Sequence, residues 1–190
     1  MLIWTSSCEY RHSKYLFLDR DGVLNIDSPD YIKHWNEFHF YPDSLEALKQ
    51  CKDKGIGAIL ISNQSAINRG LISLEDFWSL HHHMVQRIEA EGGSLAAAFY
   101  CPHRPDELCS CRKPATGMLI EAAKLFDISL PDAYMLGDRA TDLQAAFSAG
   151  CQPVLVARES SISRTFDTDL GGSAPVRSYP DLVSAVAALY

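Results

Sequence analysis

The sequence lacks the features that place a protein in a membrane or outside the cell. No apolar run approaches the ~18 residues that suggest a membrane-spanning helix, and the first residues have no cationic start followed by a long apolar segment. With 190 residues and 47% apolar content, the chain can bury a core without cross-links. We therefore expect one cytoplasmic domain over residues 1–190.

The chain also lacks an excess of positive charge. Its 17 Lys and Arg stand against 24 Asp and Glu, which gives a net charge of −7. Proteins that bind nucleic acids or anionic membranes usually carry a basic face, so we expect neither partner. An anionic small-molecule substrate would have to be met by a few local cations. We expect the chain to act on such a substrate as a monomer.

Six cysteines are present, but no secretory signal accompanies them. Stable disulfides form mainly in secreted proteins, so we expect these thiols to be reduced. A disulfide framework is the alternative. Cys8, Cys51 and Cys151 are scattered along the chain. Cys51 and Cys151 fall at a predicted helix end and strand start, where small buried residues are common.

The other three cysteines cluster with a histidine. Cys101, His103, Cys109 and Cys111 lie within eleven residues, and three thiolates with one imidazole are the ligand set of a closed structural zinc site. Prolines in this segment disfavour a helix or strand and favour a loop, which a bound metal ion would stabilise. The alternative is a group of reduced buried cysteines beside a surface histidine.

Short apolar runs alternate with amphipathic segments along the chain. Strands are predicted at Tyr15–Leu18, Gly57–Ile61, Ala97–Tyr100, Ala133–Leu136 and Pro153–Val156, and helices at Asp43–Lys54, Leu74–Glu91, Gly117–Phe126, Asp142–Ala149 and Pro180–Leu189. This order predicts an α/β fold with a mostly parallel sheet and helices on both faces. In such sheets ligands bind outside the carboxyl ends of the strands.

Polar residues collect where the predicted strands end. They are Asp19, Asp21, Ser62, Asn63, Arg112, Lys113 and Asp138. A single Asp or Ser at a strand end is more often a turn residue or a helix cap. Carboxylates, a hydroxyl, an amide and cations at successive strand ends are harder to attribute to capping. They predict a shared site at one edge of the sheet.

The pair Asp19 and Asp21 directly follows a buried strand, and two like charges so close disfavour ionisation unless a cation or proton is shared. Phosphoryl transfer needs a nucleophile, cations on the phosphoryl oxygens and an acid for the departing alcohol. Asp19 is the candidate nucleophile, through an aspartyl-phosphate, and Asp21 the candidate acid and base. Mg²⁺ held by Asp19 and Asp138 would relieve the repulsion.

The same residues carry a family resemblance. The set 19-DRDGV-23, Ser62, Lys113 and 137-GDRATD-142 resembles the four motifs of the haloacid dehalogenase (HAD) phosphohydrolase superfamily, in order and at strand ends. The resemblance spans the motif-bearing core at about residues 14–158 and implies a Rossmann-like fold. No long insertion separates the motifs, so no large cap domain is expected.

The resemblance also implies roles for individual residues. Asp19 would be the nucleophile, and Asp21 would be the acid and base and would give its backbone carbonyl to Mg²⁺. Asp138 would be the other carboxylate ligand of that ion. Ser62 and Lys113 would bind the transferring phosphoryl group. With no cap, specificity would be set by loops such as residues 28–40 and the cysteine-containing loop.

Two longer segments carry a finer resemblance. The stretches 59-ILISNQSAINRG-70 and 100-YCPHRPDELCSCRKPATGM-118 resemble the D-glycero-D-manno-heptose 1,7-bisphosphate phosphatase family, which serves lipopolysaccharide-core precursor synthesis. This resemblance implies that Asn63, Arg112 and Lys113 contact the substrate and its phosphates. Ala66 departs from the family, which commonly has glycine in NQSGI.

Two alternatives remain beside that reading. Histidinol-phosphate phosphatases share the cysteine loop, but they usually read NQDG where this chain has 63-NQSA-66. A binding module with a zinc loop on an inactive phosphatase scaffold belongs to a different class of function, and the presence of every reactive group argues against it.

Three further features are interpreted as structural. His81, His82 and His83 are consecutive and would point in different directions on a helix, which indicates a solvated face. Asp142 could orient Lys113 or a metal-bound water, or it could cap the helix that follows it. The segment 158–176 is rich in small polar residues and is expected to be a mobile surface loop without a chemical role.

Overall fold

Seven strands form one sheet in the computed structural model, which describes residues 1–7, 12–158 and 176–190. The strands are β1 (Leu2–Thr5), β2 (Lys14–Leu18), β3 (Ile56–Asn63), β4 (Ala97–Cys101), β5 (Tyr134–Gly137), β6 (Gln152–Val156) and β7 (Arg177–Tyr179). Their order across the sheet is β1-β4-β3-β2-β5-β6-β7. The pair β1–β4 is antiparallel and the other pairs are parallel. The predicted α/β fold is therefore confirmed.

All five predicted helices are present. They are α1 (Pro42–Asp53), α2 (Leu74–Ala90), α3 (Gly117–Phe126), α4 (Ala140–Ala149) and α5 (Leu182–Leu189). Helix α5 begins two residues later than predicted because Asp181 is its N-cap, and its Oδ1 accepts the N–H of Ser184 at 2.7 Å. Among the described residues no helix combines the length and the apolar character needed to cross a membrane.

The central strand, β2, contributes alternate residues to two separate hydrophobic cores, one on each face of the sheet. Leu16 and Leu18 pack with buried residues of α1, α2 and α5 on one face of the sheet. Phe17 packs with buried residues of α3 and α4 on the other face. Because both faces of β2 are covered, its residues after the exposed Lys14 form a continuous apolar run, as in other buried parallel strands.

The position of β2 decides where a ligand can bind. Leu18 at its end lies opposite Leu60 of β3 on one side and Leu136 of β5 on the other. The carboxyl ends of these three strands therefore meet at the same edge. The chain leaves β2 toward β3 and later returns to build β5 on the other side, which is the topological switch point where α/β sheets form a crevice.

The sequence did not predict the two edge strands. β1 has four residues and pairs with β4, with Leu2 opposite Tyr100, and β7 has three residues beside β6. Both strands lie at an edge of the sheet and are partly exposed, so neither carries the continuous apolar run by which the equally short β5 was predicted.

The expectation of a solvated histidine face was wrong for His81. This residue is 1% exposed, its Nδ1 lies 2.8 Å from the Tyr100 hydroxyl, and the rings of Trp4 and Trp78 contact it. Burial, helped by neighbouring positive charge, lowers the pKa of His81 to about 3, so the ring is neutral. His82 and the residue after it are exposed as expected.

Arg158 was wrongly placed in a mobile loop. It is buried, its Nη1 lies 2.7 Å from Oδ1 of Asp43, and its Nη2 donates to the carbonyl of Val23 at 2.7 Å. The guanidinium also lies 3.6 Å from the centre of the Tyr41 ring. Residues 159–175 of that predicted loop lie outside the described residues, as does Cys8, and its last residue, Val176, directly precedes β7. Cys51 and Cys151 are buried as predicted.

Candidate active site

A cleft of about 1160 Å³ lies at the carboxyl ends of the central strands. Its walls include Asp19 after β2, Ser62 at the end of β3, Asp138 after β5, and Lys113. The loop at residues 26–32 and part of the cysteine-containing loop complete the walls. The structure thus brings the predicted polar residues together at the predicted edge of the sheet.

Lys113 is the cation at the floor of the cleft. It is 3% exposed, and its Nζ lies 3.0 Å from Oδ1 of Asp19 and 2.7 Å from Oδ1 of Asp142, and donates to the carbonyl of Ile61 at 2.6 Å. Burial alone would lower the pKa of the Lys113 ammonium, but the two carboxylates outweigh burial and raise it. Lys113 is therefore a fixed positive charge beside Asp19.

Asp19, Asp138 and Asp142 form a buried cluster of carboxylates whose ligand atoms all lie within 4.8 Å of one another. Burial raises the pKa of Asp19 to about 6, although Lys113 opposes that shift. Burial and the charges of Asp19 and Asp142 raise the pKa of Asp138 to about 8. Three carboxylates against one ammonium leave an excess of negative charge. Their oxygen atoms are the ligands that a hard divalent cation prefers, so the cluster fits Mg²⁺.

Gly22 lets the loop after β2 approach the end of β5. Its φ of +90° is in the left-handed region, and a Cβ at this position would overlap the carboxylate of Asp138. Any other residue here would push Asp138 away from Asp19.

Asp21 does not join the carboxylate cluster. Its oxygens accept hydrogen bonds from Arg20, from Nδ2 of Asn25 at 2.9 Å and from Nε2 of Gln64 at 2.7 Å. Burial opposes ionisation of Asp21, but the Arg20 charge and these hydrogen bonds outweigh it and lower its pKa. The repulsion between Asp19 and Asp21, for which the sequence indicated Mg²⁺, is thus relieved in part by two protein cations, Lys113 and Arg20.

Asn63 holds the backbone of Lys113 rather than reaching only into the cleft. Its Oδ1 accepts the N–H of Lys113 at 3.0 Å, and its Nδ2 donates to the Lys113 carbonyl at 3.1 Å. Ser62 is 1% exposed, and its Oγ accepts a hydrogen bond from Gln64. Gln64 was not among the predicted site residues because its two partners come from different strands.

Asp142 serves both of the roles that the sequence left open, in a different position from the predicted one. Helix α4 begins at Ala140 with Arg139 as N-cap, so Asp142 is the third helical residue. Its Oδ2 accepts the N–H of Arg139 at 3.0 Å while its Oδ1 pairs with Lys113. Asp142 therefore stabilises the start of α4 and orients Lys113 together.

Arg112 and Arg139 line the same cleft. Nη1 of Arg112 donates to the carbonyl of His103 at 3.1 Å, which ties the guanidinium to the cysteine-containing loop. Arg139 pairs with Asp27 across the cleft. Both guanidinium groups are positioned to meet an anionic part of a ligand.

The cysteine cluster has the geometry of a tetrahedral metal site. The three Sγ atoms of Cys101, Cys109 and Cys111 lie 3.3–3.6 Å apart, and Nδ1 of His103 lies 3.4 Å from Cys101 and 3.3 Å from Cys111. A zinc ion at about 2.3 Å from each sulfur would give separations of about 3.8 Å. The four groups therefore fit zinc after a small expansion, and the three thiols are free rather than disulfide-bonded.

Comparison with known proteins identifies the family. A family profile described as HAD-hydrolase-like matches residues 110–182. The D-glycero-beta-D-manno-heptose-1,7-bisphosphate 7-phosphatase of Pseudomonas aeruginosa is 37% identical over 174 residues, which cover 92% of this chain and 96% of that protein. The chain belongs to this family of HAD-like phosphatases. The Pseudomonas putida protein of the same name is 42% identical over 143 residues, covering 75% of this chain and 82% of that protein.

A solved structure supports the same assignment. D,D-heptose 1,7-bisphosphate phosphatase from B. bronchiseptica, complexed with magnesium and phosphate, matches with a TM-score of 0.82 and 34% sequence identity. The match covers 93% of this chain and 97% of that one. The resemblance drawn from the motifs is thereby confirmed.

The one departure from the family pattern is accommodated by the core. Ala66 is 2% exposed, belongs to the larger buried cluster, and accepts the N–H of Leu71 through its carbonyl at 3.0 Å. Its methyl group adds to the packing beneath the loop after β3 and touches no reactive group.

Proposed function

We propose that the chain hydrolyses one phosphate ester of D-glycero-D-manno-heptose 1,7-bisphosphate, at the 7-position, in the cytoplasm and as a monomer. The observation that carries the proposal is the placement of Asp19 at the end of the central strand between Lys113 and Asp138. The named activity of the relatives supports the choice of substrate. Single-domain organisation over residues 1–190 is part of the same proposal.

In the first step an oxygen of Asp19 attacks phosphorus and the bond from phosphorus to the sugar oxygen breaks. In the described residues, the hydrogen bond from the Arg20 N–H and the contact with Lys113 both fall on Oδ1 of Asp19. Oδ2 receives neither, so it is the oxygen suited to attack. The product is an aspartyl-phosphate and an alkoxide that needs a proton.

Asp21 supplies that proton, and in the second step it accepts one from a water that attacks the aspartyl-phosphate and releases inorganic phosphate. Its lowered pKa and its hydrogen bonds favour the carboxylate, which is the form required to activate water. Delivery of the proton in the first step requires weaker contacts with Arg20 when substrate is bound.

The remaining polar groups bind the two phosphates. Ser62 and Lys113 meet the transferring phosphoryl group, because both lie beside Asp19 in the cleft. Asn63 fixes the Lys113 backbone. Arg112, anchored to the cysteine-containing loop, reads the phosphate that is not cleaved, since a planar guanidinium can grip two oxygens at once.

Two metal sites belong to the proposal. Mg²⁺ would be held by the carboxylates of Asp19 and Asp138 and the backbone carbonyl of Asp21, and when bound it supplies positive charge to the phosphoryl oxygens. Zinc would be held by the cysteine cluster with His103. That site has no ligand position left for water, so its contribution is to order the loop that carries Arg112.

A substrate panel tests the proposal. Phosphate release should be measured on the α and β anomers of the heptose bisphosphate, on histidinol phosphate and on an aryl phosphate, each with and without Mg²⁺. We expect the highest kcat/KM on a heptose bisphosphate, and activity that requires Mg²⁺. A preference for histidinol phosphate would assign the chain to that reaction instead.

Asp19→Asn distinguishes an enzyme from a binding module. An amide is a poor nucleophile and a poor ligand for Mg²⁺, so turnover should be abolished while the circular dichroism spectrum is unchanged. Turnover near the wild-type rate in this variant would remove Asp19 from the nucleophile role.

A further inference from the structure

Gln64 connects three parts of the site. Its Nε2 lies 2.7 Å from Oδ2 of Asp21 and 3.0 Å from Oγ of Ser62. Its backbone N–H donates to the carbonyl of Cys101 at 2.7 Å. The residue is 6% exposed. The steps proposed above give this buried side chain no task.

The direction of both hydrogen bonds follows from the atom that makes them. Nε2 of Gln64 lies within hydrogen-bonding distance of both Asp21 and Ser62, and an amide nitrogen can only donate. The same NH₂ has a second hydrogen, and it is directed to Ser62. The oxygen of Ser62 is therefore an acceptor in this contact. Its own hydrogen is left to donate to another acceptor, and in the cleft that acceptor is a phosphoryl oxygen.

We propose that Gln64 is a positioning residue that orients the Ser62 hydroxyl toward the transferring phosphoryl group and places Asp21 relative to it. The inference rests on the proposed phosphatase function. One planar group makes both contacts, so the distance between the phosphate-binding hydroxyl and the acid is set by a single rigid unit. The backbone hydrogen bond to Cys101 fixes that unit to the start of the cysteine-containing loop.

Gln64→Met tests this role, because methionine has a similar length and no hydrogen to donate. The Kd for inorganic phosphate should be measured by calorimetry in the presence of Mg²⁺, and kcat on glycerol phosphate and on nitrophenyl phosphate. We expect phosphate binding to weaken about five- to tenfold, which is the effect of one net hydrogen bond. We also expect kcat to fall at least about tenfold on glycerol phosphate and less on nitrophenyl phosphate, whose leaving group needs little acid assistance.

Two variants provide controls. Gln86→Met, on the exposed part of α2, should change neither phosphate binding nor kcat. Gln64→Glu keeps the shape but accepts the Ser62 hydrogen, which turns that hydrogen away from phosphate. Phosphate binding should then weaken at least as much as in Gln64→Met, and this variant decides the question if the methionine variant does not fold.

Three results would overturn the inference. One is an equal loss of kcat on both esters with unchanged phosphate binding, which a merely structural role would produce. Another is phosphate binding in Gln64→Glu that matches the wild type. The third is a Ser62→Ala/Gln64→Met double variant in which the losses of phosphate affinity add, because Gln64 is inferred to act through Ser62. If the wild type releases no phosphate from the heptose bisphosphate, the proposed function fails, and phosphate binding alone still decides the role of Gln64.

Discussion

Replacing Arg158 by methionine should destabilise the protein strongly, although the sequence predicted that this residue begins a mobile surface loop. The side chain donates two hydrogen bonds to Asp43 and one to the carbonyl of Val23, and its guanidinium packs on Tyr41. Arg158→Met removes all of these contacts. Asp43 would then keep its hydrogen bond from the N–H of Leu182, at 2.8 Å, and lose its guanidinium partner.

The size of the effect follows from burial. The side chains of Arg158 and Asp43 are 8% and 20% exposed, so solvent screens the pair only partly. Truncating one partner of such a pair costs about 3–5 kcal/mol. For a chain of this length the melting temperature should fall by roughly 10 °C. Urea unfolding followed by circular dichroism would give the free energy directly.

A double-variant cycle and a pH series separate the ion pair from general loss of packing. The losses of unfolding free energy in Arg158→Met and Asp43→Asn should add up to more than the loss in the double variant. The difference, which is the coupling energy, should be about 1–3 kcal/mol. Burial would raise the pKa of Asp43, but hydrogen bonds from Arg158 and Leu182 outweigh it and lower the pKa. Stability from this carboxylate is therefore complete above the unfolded pKa of ~4 and is lost as pH falls through the lower folded value.

The difference in stability between wild type and Arg158→Met should accordingly be constant from about pH 8 to pH 5 and should narrow below about pH 4. A difference that widens on acidification, or a double variant whose loss equals the sum of the single losses, would refute the reasoning.

Three further predictions concern the cleft and the cysteine loop. Because the pKa values of Asp19 and Asp138 are raised, metal-free protein should lose stability as pH rises from about 4 toward 8, and Mg²⁺ at 100 times its Kd should add about 2.7 kcal/mol. At one fixed Mg²⁺ concentration, the gain in melting temperature should be larger at pH 8 than at pH 5.5, and equal gains would contradict a site on these carboxylates. Elemental analysis should find one zinc per chain in protein purified without added metal and much less in Cys111→Ser; a zinc-free wild type under reducing conditions would contradict the cluster. Arg112→Ala should reduce kcat/KM far more on the heptose bisphosphate than on an aryl phosphate, whereas equal losses would place Arg112 at the reacting phosphoryl group.

The sequence predicted best those features that depend on neighbours along the chain. The central strands and five helices follow from local periodicity, and their ends differ from the predicted ones by at most two residues, as at α5, where Asp181 is the N-cap. Asp19 and Lys113 were found because parallel strands bring their carboxyl ends to one edge, and the cysteine cluster was found because its four ligands lie within eleven residues. Each of these inferences needs only the order of elements and the residue types at their ends.

Features that depend on tertiary packing could not be predicted from the sequence. The burial of His81 needs Trp4 from β1, which lies far away in sequence. The ion pair of Arg158 needs Asp43 from α1. The link from Gln64 to Asp21 joins two strand ends. In each case the residue type alone indicated a polar surface position, and only the three-dimensional partner explains why it is buried.

The loop from Cys101 to Lys113 is tied to β3 at both of its ends. The N–H of Gln64 bonds to the carbonyl of Cys101, and Asn63 exchanges two hydrogen bonds with Lys113. Between these ties the loop extends into solvent, where Leu108 is 90% exposed. The outer part of this loop can therefore change in sequence without displacing Lys113, whose position depends on the two anchored ends.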